Sequence, residues 1–188
     1  MERRNAIKNI GRSMGAFVAT PAVLELLQSC GGPQYDWVPV FYTEEQGAFI
    51  KGLIDTLLPA VEEMPAATAV NVHVFLDKYA NDILDPQEQE KHKAQMGKAI
   101  ESLLASSGKS GIDKVENASY EAWMDELFGG SPDDEVYKFM EAFRSQTIWA
   151  YKNTEQVGET IMAYNPIPGK YEGCVDLEAT TQGKAWSI

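Results

Sequence analysis

The chain has few of the residue types that build metal-binding or catalytic sites. Its 188 residues include two histidines and two cysteines. A di-iron helical bundle needs a glutamate three residues before a ligating histidine, and Gln89 stands at that place before His92. His73 lies on a different predicted helix and has no second ligand at metal spacing. Both histidines are therefore expected to be core or solvated side chains.

Nucleotide-binding and nucleophile motifs are also absent. Gly108-Lys109-Ser110 resembles the end of a phosphate-binding loop, but Leu103 occupies the position where that motif needs its first glycine. There is no dinucleotide-binding glycine pattern, no Gly-x-Ser-x-Gly elbow and no paired-cysteine motif. Adjacent acidic residues at predicted helix starts are explained better by capping and solvation than by acid–base chemistry. The sequence thus predicts no catalytic residue, no metal site and no cofactor site in this chain.

Long apolar runs and excess positive charge are lacking as well. The apolar stretch over residues 10–27 is interrupted by Arg12 and Glu25, so it is too broken for a bilayer span of ~20 apolar residues. The formal net charge is −12, and it becomes −14 without residues 1–29, which carry four basic and two acidic side chains. Such acidity disfavours binding to nucleic acid or anionic lipid and suits solubility or a basic partner surface.

The first thirty residues have the pattern of an export signal. Arg3 and Arg4, with Lys8 four residues further on, precede the weak apolar stretch. This arrangement is typical of the twin-arginine signal, which exports proteins that are already folded. Residues 27–30 fit a lipoprotein cleavage box, so Cys30 is a candidate lipidation site, the alternative being a plain cysteine that is buried or unprocessed. The expected location is the periplasm, with a tether to a membrane.

Helix signals dominate the middle of the chain. Behind each candidate cap, apolar residues recur three and four positions apart, and no stretch alternates as a half-buried strand would. The residues that can cap a predicted helix are Thr43, Asp85, Ser119 and Ser131. The predicted fold class is all-α, a compact bundle of about five helices with an irregular C-terminal tail.

These signals divide the chain into four parts. Residues 1–30 are the signal with its cleavage box, 31–42 a linker, 43–165 the helical domain and 166–188 an irregular docking tail. Aromatic residues crowd the C-terminal part, and most of them are expected to be core. Tyr171 and Trp186 in the tail cannot bury against a local helix face, so we expect them to dock onto the body or onto a partner.

The two cysteines are not expected to pair with each other. If Cys30 carries lipid, Cys174 is left as a single cysteine in an oxidising compartment. Such a residue is either a buried thiol or one half of an intermolecular disulfide. Both alternatives stay open on the residues alone.

In their order along the chain, several motifs resemble the gluconate 2-dehydrogenase subunit 3 family. They are the Arg3-Arg4 signal and residues 53–59, 72–79, 84–86, 147–158, 164–165 and 168–174. The last of these, Pro-Gly-Lys-Tyr-Glu-Gly-Cys, is the most specific. In one departure, Pro65 is followed by Ala66, where relatives tend to have a Thr-x-x-Pro-Gly-Ala turn. This difference leaves the shape of that loop open.

The resemblance implies a non-catalytic subunit that partners a large flavoprotein of the glucose–methanol–choline (GMC) oxidoreductase class. That partner would hold FAD and oxidise a sugar, a polyol or a sugar acid, and a cytochrome c subunit or another acceptor would take the electrons. The large subunit often lacks a signal of its own, so the small subunit would carry it out folded around FAD. Membrane contact would come through lipid on Cys30 or through the complex, and Cys174 would form an inter-subunit disulfide.

Two other classes of protein stay open. One is a stand-alone helical envelope lipoprotein that binds a ligand or scaffolds other proteins. The other is an enzyme in its own right that uses Glu88 and His92, or another site that no motif reveals.

Overall fold

The computed structural model describes residues 37–167, 169 and 173–187. Residues 38–188 form one compact unit, and of the preceding unit only Trp37 is described. The helices are α1 (Glu44–Leu57), α2 (Val72–Asp82), α3 (Pro86–Ser107), α4 (Asn117–Phe128), α5 (Glu135–Lys152) and the short α6 (Leu177–Thr181). A 3-10 turn covers Ile112–Lys114, and a π-helical turn covers Val157–Ile161. Across the described residues the only β-pairing is two isolated bridges. The prediction of an all-α bundle of about five helices is confirmed.

Helix α1 supplies the centre of the core. Phe49, Ile50, Leu53 and Ile54 are completely buried, and their spacing places them on one face of the helix. Burial of each such side chain stabilises the fold by about 1.5–3 kcal/mol. This face packs against α2, α3 and α4. The apolar residues that recur at helical spacing in the sequence are therefore the ones that form the contact surface.

Two of the predicted helix caps are confirmed in full. Thr43 and Asp85 each accept a backbone N–H bond from the third helical residue, whose side chain bonds back to the cap. The prediction for Ser131 was three residues early, because Asp134 caps α5 by accepting from the N–H groups of Val136 and Tyr137 at 2.8 and 3.0 Å. The prediction for Ser119 was also wrong, since α4 begins at Asn117.

The loop between α1 and α2 has a defined shape, although it departs from the motif of its relatives. The carboxylate of Asp55 accepts the N–H and the O–H of Thr68 at 2.8 and 2.6 Å. The hydroxyl of Tyr151, on α5, donates to the carbonyl of Pro65 at 2.7 Å. Ala67 is fully buried. The second half of the loop is therefore fastened to α1 through Thr68 and to α5 through Pro65.

The C-terminal tail is less irregular than the sequence indicates. It contains α6, which Asp176 caps by accepting the N–H of Ala179 at 2.8 Å. After α6 the chain returns to form a parallel bridge between Ala163 and Trp186. The end of the tail thus lies beside the segment that follows α5.

Candidate docking site

Five of the residues singled out in the sequence lie outside the described residues. They are Arg3, Arg4, Lys8, Cys30 and Tyr171. Trp186 and Cys174 are described, and both belong to the tail. The export signal and the lipidation site therefore stay predictions.

Trp186 is held on the body by its backbone, while its side chain faces outward. The N–H of Ala163 donates to the carbonyl of Ala185 at 2.8 Å, and the N–H of Ser187 donates to the carbonyl of Ala163 at 2.8 Å. With its backbone fixed between these bonds, the Trp186 side chain still exposes 46% of its surface. A tryptophan presented in this way has a fixed position and a large apolar area left for contact.

Other large apolar side chains, in the tail and just before it, are exposed as well. They are Tyr164, Ile167, Val175 and Leu177. Single exposed apolar residues are ordinary, but a series of them in one short segment is typical of an interaction site. The sequence analysis picked out Trp186 and missed the aliphatic members, because no local pattern marks an irregular segment as exposed.

Cys174 lies in the middle of this series and is exposed. It forms no disulfide with any described residue. Of the two alternatives left by the sequence, a thiol buried within this chain does not fit the exposed position. An exposed thiol beside apolar side chains is accessible to a cysteine of a partner.

The segment before α1 is anchored by a buried carboxylate that the sequence analysis missed. Asp77, on α2, is only 1% exposed. Its two oxygens accept the backbone N–H groups of Val40, Phe41 and Tyr42 at 2.7, 2.9 and 3.1 Å. Phe41 and Tyr42 are buried, so the folded unit includes the last part of the segment that the sequence assigned to the linker.

His92 also contacts this anchored segment, through Tyr42. The hydroxyl of Tyr42 and Nε2 of His92 lie 2.8 Å apart, and the ring of Phe139 packs edge-on against the imidazole at 5.1 Å. Burial lowers the pKa of His92 to about 4, so the ring is neutral near pH 7. Burial, helped by Asp77, raises the pKa of Tyr42, so its phenol stays protonated and can donate to a neutral Nε2.

His73 is also part of the core rather than a ligand. It is buried on α2, and burial, together with the nearby charge of Lys51, lowers its pKa to about 4. His73 is thus a core side chain, one of the two outcomes that the sequence predicted, while His92 is half-buried at the edge of the core. Within the described part of the chain, no three histidine, cysteine, aspartate or glutamate side chains are placed to hold a metal ion.

An open groove of about 490 Å³ lies between α3, α4 and the turn before α5. Its polar groups mostly bond to each other, as Trp123 Nε1 donates to Ser102 Oγ at 3.0 Å and Ser106 Oγ lies 3.1 Å from Glu126 Oε2. No histidine, cysteine or basic side chain lines it. Of the helices that the structure describes, none has the length and apolar character needed to cross a membrane.

Comparison with known proteins assigns the chain to a family. The family model "Gluconate 2-dehydrogenase subunit 3" matches residues 44–169, about two thirds of the chain. No curated protein and no solved structure matches significantly. The matched region begins at the first residue of α1 and runs through α5 to the tail. The chain therefore belongs to the gluconate 2-dehydrogenase subunit 3 family, whose members are accessory subunits of a dehydrogenase.

Proposed function

We propose that this chain is the non-catalytic small subunit of a periplasmic FAD-dependent sugar or polyol dehydrogenase similar to gluconate 2-dehydrogenase. It binds a large GMC-type flavoprotein and escorts it through twin-arginine export. FAD and the catalytic site belong to the partner, and a cytochrome c subunit or another acceptor takes the electrons. The family match over residues 44–169 is the observation that carries this proposal.

The tail is the proposed first contact with the flavoprotein. Its exposed apolar side chains and the outward-facing Trp186 support this role, because aromatic anchors are enriched at the centres of interfaces. The exposed Cys174 supports an inter-subunit disulfide. Non-reducing gels of the native complex should then show a band that contains both subunits and that disappears in Cys174→Ser. An intact complex with no such band, in wild type and variant alike, would remove the disulfide from the proposal.

The association itself is tested by affinity purification from native membranes. A tag inserted after Lys109 lies in an exposed loop and leaves the tail free. We expect a stoichiometric yellow flavoprotein to copurify and to oxidise one or more members of a sugar and polyol panel with an artificial acceptor. A colourless chain recovered alone, even after crosslinking, would instead favour the stand-alone helical lipoprotein.

Export and tethering are tested by fractionation. Replacing Arg3 and Arg4 together by lysine keeps the charge but removes the twin-arginine pattern, so both subunits should stay in the cytoplasm. Cys30→Ala should leave export intact and move the complex from the membrane to the soluble periplasm. Export of the flavoprotein in the absence of this chain would contradict the escort role.

A further inference from the structure

A second exposed apolar surface lies where α2 packs on α5. The rings of Phe75 and Trp149 have centroids 5.5 Å apart, and the ring of Tyr79 lies 5.9 Å from that of Phe75. Phe75 is 40% exposed and Trp149 is 48% exposed. We call these three residues the aromatic face. The sequence analysis expected most aromatic residues of the C-terminal part to be core, and Trp149 is an exception.

The fully buried contacts of the two helices are made by other residues. Val72, Leu76 and Ala80 form the buried side of α2, and α5 buries its own inner residues. Phe75 and Tyr79 are four residues apart, so they stand one above the other on the flank of α2. Ile83, four residues further on, is also exposed and continues this line.

The surroundings of the aromatic face carry little charge. On α2, Asp77 is buried, which leaves Lys78 and Asp82 as the exposed charges. On α5, Lys152 is the only charged residue from Ser145 to the end of the helix. The whole chain has a net charge of −12, so this scarcity of acids is local. Aromatic enrichment with depletion of charge is the composition of an interface core.

We propose that the aromatic face is a second docking area for the flavoprotein subunit, on which an uncharged apolar patch of that protein is seated. The inference rests on the proposed function. The net charge argues against the other occupants, because a second copy would bring another −12 and a bilayer would bring anionic headgroups. The face shares helix α5 with the π-helical turn that leads to the tail, because this turn also packs on α5.

The test uses the flavoprotein recovered with the Cys174→Ser chain, which can dissociate, and measures its affinity for single variants made in that same background. Phe75→Gln and Trp149→Gln should each raise Kd about 30-fold or more, as expected for hot-spot residues. Ile148→Gln is the matched control, because Ile148 is equally exposed on α5 but points about 100° away from Trp149. Its Kd should change less than about threefold, and the thermal midpoints of all three variants should stay close to that of wild type.

Other outcomes are distinguishable. Wild-type affinity in both aromatic variants, or equal losses in all three variants, would overturn the docking area and leave the proposed function standing. A homodimer in analytical ultracentrifugation that Trp149→Gln dissociates would assign the face to a second copy. Sedimentation with phosphatidylglycerol vesicles that Trp149→Gln abolishes would assign it to a membrane. Failure of the wild-type chain to bind any flavoprotein would instead overturn the proposed function.

Discussion

At the scale of single residues, Asp77 is the side chain on which the start of the folded unit depends. Asp77→Asn keeps the size of the side chain but removes its charge and replaces one acceptor oxygen with an NH2 group. Backbone N–H groups of residues 40–42 then lose a hydrogen-bond acceptor. We expect the free energy of unfolding to fall by about 2–3 kcal/mol, measured by urea denaturation. Asp82→Asn, at the exposed end of α2, is the control and should change it by less than about 0.5 kcal/mol. Similar values for the two variants would contradict this role.

His92 gives the stability a defined pH dependence. Its pKa is about 4 in the folded chain, and the ordinary value of about 6.5 applies to the unfolded chain. Between these two pKa values the unfolded state binds more protons than the folded state. The contribution of His92 to the free energy of unfolding is therefore complete above pH 6.5 and is lost as the pH falls toward 4. Between pH 6.5 and 4, the free energy of unfolding should fall by about 2–3 kcal/mol less in His92→Gln than in the wild type. The difference between the two curves of stability against pH measures this. Parallel curves would show that His92 titrates normally in the folded state.

The residue scale is where sequence reasoning was least complete. The histidines were predicted to be core or solvated, and the structure buries His73 in the core and leaves His92 half-buried beside it. Asp77 could not be recognised, because its bonding partners lie 35–37 residues earlier and a carboxylate inside a helix usually faces solvent. Phe75 follows the apolar rhythm of α2 and Trp149 is one of the C-terminal aromatic residues, most of which were expected to be core. Only the packing of α2 on α5 shows that both stay exposed.

At the scale of elements, two glycines in helices should respond to alanine with opposite signs. A Cβ on Gly52 of α1 would lie 2.6 Å from the Tyr120 ring, which is packed against Phe49 and cannot move aside freely. Gly52→Ala should therefore destabilise the fold by about 1–3 kcal/mol. Gly97→Ala on α3 meets nothing within 4 Å, so it should stabilise by about 0.5–1 kcal/mol through helix propensity. Thermal unfolding of both variants measures this, and a stabilised Gly52→Ala would show that α1 and α4 are not in close contact.

The start of a helix was predictable from the sequence where only one residue was a good candidate for its N-cap. Thr43 and Asp85 have a reciprocating side chain three residues later, and both cap as predicted. Around residues 131–134 a serine and two aspartates compete, and the carboxylate of Asp134 prevails by accepting two N–H groups while Ser131 accepts one at 3.3 Å. The bond lengths that decided this competition are properties of the folded chain.

At the scale of the whole molecule, the sequence predicted the class of fold and the family, but it did not predict which surfaces stay open. The apolar content of α1 and the caps were sufficient for the bundle, because these signals act within one helix. The tail gave no such periodic signal, so α6 and the bridge between Ala163 and Trp186 depend on contacts with the rest of the unit. The proposed docking surfaces are made of residues that the fold leaves exposed, which no local pattern specifies.

The net charge of −12 and the aromatic face should act on different steps of association with the flavoprotein. Long-range attraction between this acidic chain and a basic partner surface speeds encounter, while apolar contacts formed after docking slow dissociation. With Cys174→Ser subunits that can dissociate, raising the ionic strength from about 0.02 M to about 0.3 M should slow association about tenfold and change dissociation much less. Trp149→Gln at constant salt should do the reverse, with faster dissociation and an association rate within about threefold of wild type. An association rate independent of salt would mean that the partner presents no basic surface, and contact would then depend on the apolar surfaces alone.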